Sequence, residues 1–280
     1  MLRSILLASD CVTPDEVALA CACEIALRHG AQLDVVMAPD RSDIDGGEAH
    51  GIGGGSIAEH RDEILTARLN GRLQAERSEL VARLGAAGIE PSVRELMGDS
   101  VDAVASASEA ADLLVMSRAR LRTRAKDDIE TGFVLPIEQI LRRVARPVLL
   151  VGEEPIGPGP VAVAYDGSEA VQRALQAGLL SGLFEGRQIV ILSVGYGVAA
   201  ADAMASPAAV LSRRHGYEVR IHALEGHGEA SDEIMQALDE IQPGLFVSGC
   251  FGEKGLLDWI VGGTTEQLLP KVRMPWLTQH

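Results

Sequence analysis

Apolar positions along this chain fall into two alternating patterns: short continuous runs of four to six residues, and longer stretches with apolar residues at helical spacing. In the second half, Val161 to Tyr165 reads as a strand, Ala170 to Leu183 as a helix, Gln188 to Val194 as a strand and Ala208 to His215 as part of a helix. Glu218 to Leu224 alternates like a strand, and Ser231 to Ile241 is an amphipathic helix. Leu245 to Ser248 is again a strand, Thr265 to Val272 a helix, and the last strand starts at Pro275. The first half follows the same order, with Gln32 to Met37, Ser92 to Leu96 and Leu113 to Met116 as inner strands. Its first helix is announced by Thr13-Pro14-Asp15-Glu16, an N-cap residue followed by Pro and acids that complement the helix dipole. Strand and helix in alternation, with strands apolar on both faces, predict an α/β fold: an open, mostly parallel sheet covered by helices on both sides.

The pattern also repeats. Ile5-Leu6-Leu7-Ala8-Ser9-Asp10 is echoed by Val161-Ala162-Val163-Ala164-Tyr165-Asp166, and Arg146-Pro147-Val148-Leu149-Leu150-Val151 by Met274-Pro275-Trp276-Leu277-Thr278. Each half therefore opens and closes with a strand, and the 280 residues divide into two lengths that each suit one domain of about 100–200 residues. The expected boundaries are 1–152 and 161–280, separated by a linker at 153–160 whose glycines and prolines leave no room for a regular element.

Composition changes the picture in three ways. At 47% hydrophobic residues there is material for two cores, yet no run approaches the roughly 18 apolar residues of a membrane span. The chain enters its first strand at once, without a signal peptide, and Cys11, Cys21, Cys23 and Cys250 lack metal or disulfide spacing, so a cytoplasmic protein with free thiols is expected. Lys plus Arg against Asp plus Glu is 17 to 26 in residues 1–155 and 8 to 14 in 156–280, giving −9 and −6. Neither half has the charge of a nucleic-acid module, and an anionic ligand would have to be held by local donors.

Such donors are suggested by Val247-Ser248-Gly249-Cys250-Phe251-Gly252, followed after nine residues by Gly262-Gly263-Thr264-Thr265-Glu266. The first segment ends an apolar run, where open α/β sheets present ligands, and the second leads into a helix. Glycines let bare backbone N–H groups approach an anion such as phosphate; they also serve ordinary loops that need positive φ, and either segment alone permits both readings.

Together with Ala164-Tyr165-Asp166-Gly167-Ser168-Glu169, these segments resemble the motif set of the universal stress proteins, and over nearly its whole length the chain is similar to a tandem pair of such domains. The resemblance implies two Rossmann-like domains and an ATP-binding, nucleotide-responsive module, with Mg²⁺ as a companion ion. In ATP-binding members the first-strand Asp lies at the adenosine end, a residue after the second strand contacts adenine, and the glycine loops hold ribose and phosphates. Carried over by position, those roles fall on Asp166, Val194, Gly249, Gly252, Gly262, Gly263 and Thr264. The family pattern usually has Ser or Thr where this chain has Gly263, so one hydroxyl donor is missing and Thr264 stands next to the gap. Tandem members resemble a dimer fused into one chain, which implies that the halves pack through Val148-Leu149-Leu150 and Trp276-Leu277-Thr278. A further homodimer of the whole chain is left open.

The first half departs from the pattern. Met116-Ser117-Arg118-Ala119-Arg120-Leu121-Arg122-Thr123-Arg124-Ala125-Lys126 replaces the first glycine loop, and Val134-Leu135 stand near the second. Arg118 and Arg120 in place of glycines would block backbone approach to a phosphate. The cations read either as a solvated loop paired with Asp127, Asp128 and Glu130, or as an anion site or clamp of their own. Other candidates are weaker. Gly46 to Ser56 lacks the Gly-Lys-Ser/Thr ending of a P-loop, and His50, His60, Asp43 and Asp45 match no standard metal spacing. Cys250 lies inside the glycine segment, where it is either packed and inert or activated by a nearby helix N-terminus. No nucleophile elbow is present, and Glu253, Lys254, Asp258 and Glu266 form no recognisable phosphoryl-transfer set. Binding is therefore the expected function, with slow ATP hydrolysis or phosphotransfer and a nucleotide-free paired scaffold as alternatives.

Overall fold

The computed structural model describes residues 1–9, 16–39, 55–96, 98–118, 135–251 and 264–280, with the side chains of 55–62, 65 and 264 left aside. The first half runs β1 (Ser4–Ser9), α1 (Glu16–His29), β2 (Gln32–Met37), α2 (Gly55–Ala86), β3 (Val93–Glu95), α3 (Ser100–Ser108), β4 (Leu113–Ser117), α4 (Ile137–Arg143) and β5 (Val148–Val151). The second runs β6 (Val161–Ala164), α5 (Glu169–Ser181), β7 (Ile189–Gly195), α6 (Val198–Arg214), β8 (Val219–Glu225), α7 (Ala230–Ile241), β9 (Leu245–Gly249), α8 (Thr264–Leu268) and β10 (Trp276–Gln279).

The strands form one ten-stranded sheet in the order β3-β2-β1-β4-β5-β10-β9-β6-β7-β8. Within each half the pairs are parallel and the order is the same, third, second, first, fourth, fifth. The halves meet at an antiparallel seam, with Trp276 opposite Leu150, Leu277 opposite Leu149 and Thr278 opposite Val148. These are the two last strands expected to lie together.

The apolar core divides by sheet face and not by half. One buried cluster takes Leu149, Val163, Val247 and Leu277 together with the inner faces of α1, α2, α5 and α6. The other takes Leu150, Phe246 and Trp276 with α3, α4, α7 and α8. Leu149 and Leu277 point to one side and Leu150 and Trp276 to the other, as the two-residue period of a strand requires. Each cluster runs across the seam, so the two cores expected from composition are two shared layers.

Next to the seam, β10 is braced against β9 within the second half. The fully buried Trp276 donates from its indole nitrogen to Ser248 Oγ at 2.9 Å and packs on Phe246 at a centroid distance of 5.4 Å. Between the halves, the terminal amino group of Met1 donates to Leu180 O at 2.9 Å. Arg187 bonds the carbonyls of Gly157 and Gly159 and so fixes the Gly/Pro connection against the second half.

Two elements differ from the expectations. Helix α2, 32 residues long, starts at Gly55 and was not read from the sequence; its signal is Leu69, Leu73, Leu80 and Leu84, spaced by whole helical turns and all buried. Helix α8 stops at Leu268, short of Val272.

Candidate functional site

In the second half the chain runs outward from β6 to β7 and β8, then crosses back to β9 and β10 on the other side of β6. The switch in direction lies between β6 and β9, and the carboxyl ends of adjacent parallel strands open a crevice there. Asp166, Val194 and Gly249 stand at or just past the carboxyl ends of β6, β7 and β9, three neighbours in the sheet. Three of the seven residues singled out from the sequence are thus brought to one edge. Gly252, Gly262 and Gly263 lie outside the described residues, and Thr264 is described only as the first residue of α8.

Local chemistry explains how the first of these is held. Asp166 is half-buried, and its Oδ1 accepts from Ser168 N at 2.9 Å, an Asx turn that ties the carboxyl to the loop entering α5. Gly167 makes that turn with φ +77°, and Ser168 caps α5 by accepting from Val171 N at 3.4 Å. Val194 is half-buried in the last turn of pleat of β7, ahead of Gly195, where a Cβ would come within 2.9 Å of Ala201 N.

Gly249 has a packing reason of its own. A Cβ built there would lie 2.7 Å from both Ala170 Cβ and Val171 N, so the strand end presses directly on the first turn of α5. The absence of a side chain at this position serves strand-to-helix contact, one of the established uses of glycine in such folds. Past it, Cys250 N donates to Gln279 O at 3.1 Å, and Phe251 adopts φ +49°, a left-handed conformation unusual for an aromatic residue. Cys250 is 1% exposed, and burial pushes its thiol up to about 11. Of the two readings of this cysteine, the packed thiol is the one found.

The corresponding edge of the first half corrects one alignment. Across the seam Leu149 faces Leu277, Val115 pairs with Leu149 and Val247 with Leu277, so Val115 and Val247 are counterparts. Ser117 then occupies the place of Gly249, and Arg118 that of Cys250; Arg118 N donates to Val151 O as Cys250 N does to Gln279 O. Arg118 therefore does not replace a glycine. Nor is it part of a solvated loop: it is 3% exposed, and its guanidinium donates to Leu269 O at 3.2 Å and Met274 O at 2.8 Å, both in the other half. Leu135 is buried, while Asp10, Arg120 to Val134, the Gly46–Gly54 stretch and His50 lie outside the described residues.

Among the described residues no group of three His, Cys, Asp or Glu side chains is placed to hold a metal, and no helix is long and apolar enough to cross a membrane. Sequence reasoning missed Arg142. It lies at the end of α4 in the first half, yet its guanidinium sits 3.7 Å above the Phe251 ring and 3.5 Å from the Glu266 carboxylate on α8. No sequence spacing links these three residues; only the seam brings them together.

No protein-family model matches the chain. A universal stress protein of Synechocystis is 28% identical over 144 residues, which is 51% of this chain, and the chain spans half the length of that relative. A crystal structure of a universal stress protein from Archaeoglobus fulgidus DSM 4304 superposes with a TM-score of 0.67 at 19% identity, covering 98% of this chain and 94% of the other. A structure from Pseudomonas aeruginosa UCBPP-PA14, assigned to the same proteins, gives a TM-score of 0.58 at 19% identity, over 99% and 92% of the two chains. The structural likenesses carry the doubly wound fold, and the sequence match makes about half of this chain similar to a universal stress protein.

Proposed function

We propose that the second half binds an adenine nucleotide, ATP with Mg²⁺ as its companion, and that the chain acts as a nucleotide-responsive binding module. The observation that supports this reading most is the convergence of Asp166, Val194 and Gly249 at the switch point between β6 and β9. A half-buried carboxyl with a fixed direction beside a half-buried apolar residue suits the nucleoside end of such a ligand, where hydroxyls need an acceptor and a base needs an apolar surface. Gly249 itself is accounted for by packing, so the phosphate end of the reading rests on Gly252, Gly262, Gly263 and Thr264 in the sequence.

Binding is favoured over turnover. Phosphoryl transfer draws most of its acceleration from positioned charge around the transferring group. Glu266, the candidate acid in the described residues nearest the glycine segments, has its carboxylate against Arg142, and among the described residues it joins no group of possible metal ligands.

Two measurements test the proposal. Protein purified without added nucleotide is heated, and the released small molecules are identified by mass. Calorimetry then compares wild type with Gly252→Val, which is expected to lose ATP while keeping the wild-type melting temperature, with one site per chain. Undiminished affinity in the variant, or two equivalent sites, refutes this reading.

A further inference from the structure

Arg142 belongs to the first half, but its guanidinium meets two residues of the second. Its guanidinium lies 3.7 Å over the Phe251 ring and 3.5 Å from Glu266. Those two residues bracket the stretch carrying Gly252, Gly262 and Gly263: Phe251 immediately precedes it, and Glu266 follows Gly263 by three positions. A permanent cation is thus held at the two ends of the segment to which the proposed function assigns the phosphates.

The two contacts differ in kind. The Arg142 and Glu266 side chains are each 50% exposed, and an ion pair in that setting is weak because solvent screens it, so it exchanges readily for a better anion. Phe251, by contrast, is 9% exposed and offers its face to the cation, holding the guanidinium while its partner changes. Phe251 also carries φ +49°. Strained backbone of this sort persists where the surroundings enforce it, and it clusters at ligand clamps and switch regions. Guanidinium is the group best suited to the planar, two-point recognition of phosphate oxygens.

From this geometry we infer that Arg142 is a phosphate-binding residue contributed by the first half to the nucleotide site of the second, and that Glu266 occupies it when no nucleotide is bound. The inference rests on the nucleotide reading above and adds a specificity to it: the site distinguishes ligands by their phosphates through a residue of the other half. In a chain with a net charge of −15, it also supplies a cation where the anionic end of the ligand would lie.

The test is calorimetry on the full chain with ATP and with adenosine, for wild type, Arg142→Ala, Arg142→Lys and Glu266→Gln, alongside thermal melts without ligand. Arg142→Ala is expected to weaken ATP about 10- to 100-fold, the span of a charge-assisted hydrogen bond, and to leave adenosine within about twofold. Arg142→Lys keeps the charge but not the fork and falls between. Glu266→Gln removes the competing carboxylate and tightens ATP without changing adenosine. Equal losses for ATP and adenosine in Arg142→Ala indicate a purely structural role and overturn the inference, as does unchanged ATP affinity in both Arg142→Ala and Glu266→Gln. If Arg142→Ala fails to fold, the Glu266→Gln comparison decides: no gain for ATP overturns the inference. Wild type that binds neither ligand overturns the nucleotide reading itself, and this inference with it.

Discussion

Gly249→Ala separates two reasons for having a glycine at the end of β9. If the residue exists to let a ligand approach, the substitution costs affinity and leaves the empty protein as stable as before. If it exists for packing, the cost appears without any ligand. The added Cβ would stand 2.7 Å from Ala170 Cβ and from Val171 N, and 3.0 Å from Ala170 C. Ordinary contact begins at 3.4 Å, so strand and helix must part by about 0.7 Å. Neither can yield cheaply, because Ala170 and Val171 are buried, Ser168 caps the helix, and β9 is paired on both sides. Overpacking of this kind costs about 1–3 kcal/mol. At about 2–4 °C per kcal/mol for proteins of 150–250 residues, the midpoint should fall by several degrees in nucleotide-free protein. Gly71→Ala provides a control of opposite sign: it lies inside α2 with nothing within 4 Å of the new Cβ, so helix propensity should raise stability by about 0.5–1 kcal/mol. Thermal melts followed by circular dichroism read both variants. A Gly249→Ala protein that melts with wild type but no longer binds ATP would refute the packing argument.

Two further outcomes are expected. Cys250, with its thiol held near 11 by burial, should resist alkylation at pH 8 in the folded chain and react promptly in denaturant, as mapped by peptide mass; fast labelling in the native state would show that the β9 end opens. His29 is 8% exposed against Gly182 of the other half, and burial, with help from Arg28 and the terminal amino group, lowers its pKa, while Glu185 opposes this. Because the folded value lies below the unfolded value of about 6.5, the unfolded state takes up more protons as pH falls through that range, and stability is lost on acidification. The drop in midpoint between pH 7.5 and 5.5 should therefore be smaller in His29→Gln than in wild type, and an equal drop would remove His29 from the account.

Most of the fold could be read from the sequence because its signals are local. Continuous apolar runs such as Val161 to Ala164 and Leu245 to Val247, too short for helices, fit strands buried on both faces, and the paired Val148-Leu149-Leu150 and Trp276-Leu277-Thr278 segments lie opposite each other at the seam. Helix α2 is weakly marked because most of its positions are polar and a glycine-rich stretch precedes it, leaving four leucines at turn spacing as its apolar signal. The site was legible only where one residue type has one use. Asp166 is tied to a turn that its own sequence specifies, whereas Gly249 served two hypotheses equally until the neighbouring helix was in view. Arg142 could not have been found from spacing, since 109 positions separate it from Phe251 and the pairing depends on the antiparallel seam.

The same seam gives meaning to the divergence of the first half. Arg118 and Cys250 are counterparts, each just past a strand end and each buried, yet only one of them carries charge. A buried guanidinium is tolerated when acceptors surround it, and Arg118 finds two of them in carbonyls that follow α8 in the other half. Its loss would strand those carbonyls and release the chain that links α8 to β10. Arg142 engages the same short helix through Glu266. At five residues, α8 is too short to be stable alone and must take its position from its neighbours. Arg118 and Arg142 of the first half thus both reach across the sheet to this one short helix and the chain that follows it. They engage, from across the sheet, the helix that follows the second half's glycine segments, so the nucleotide site proposed for one half draws on residues of the other.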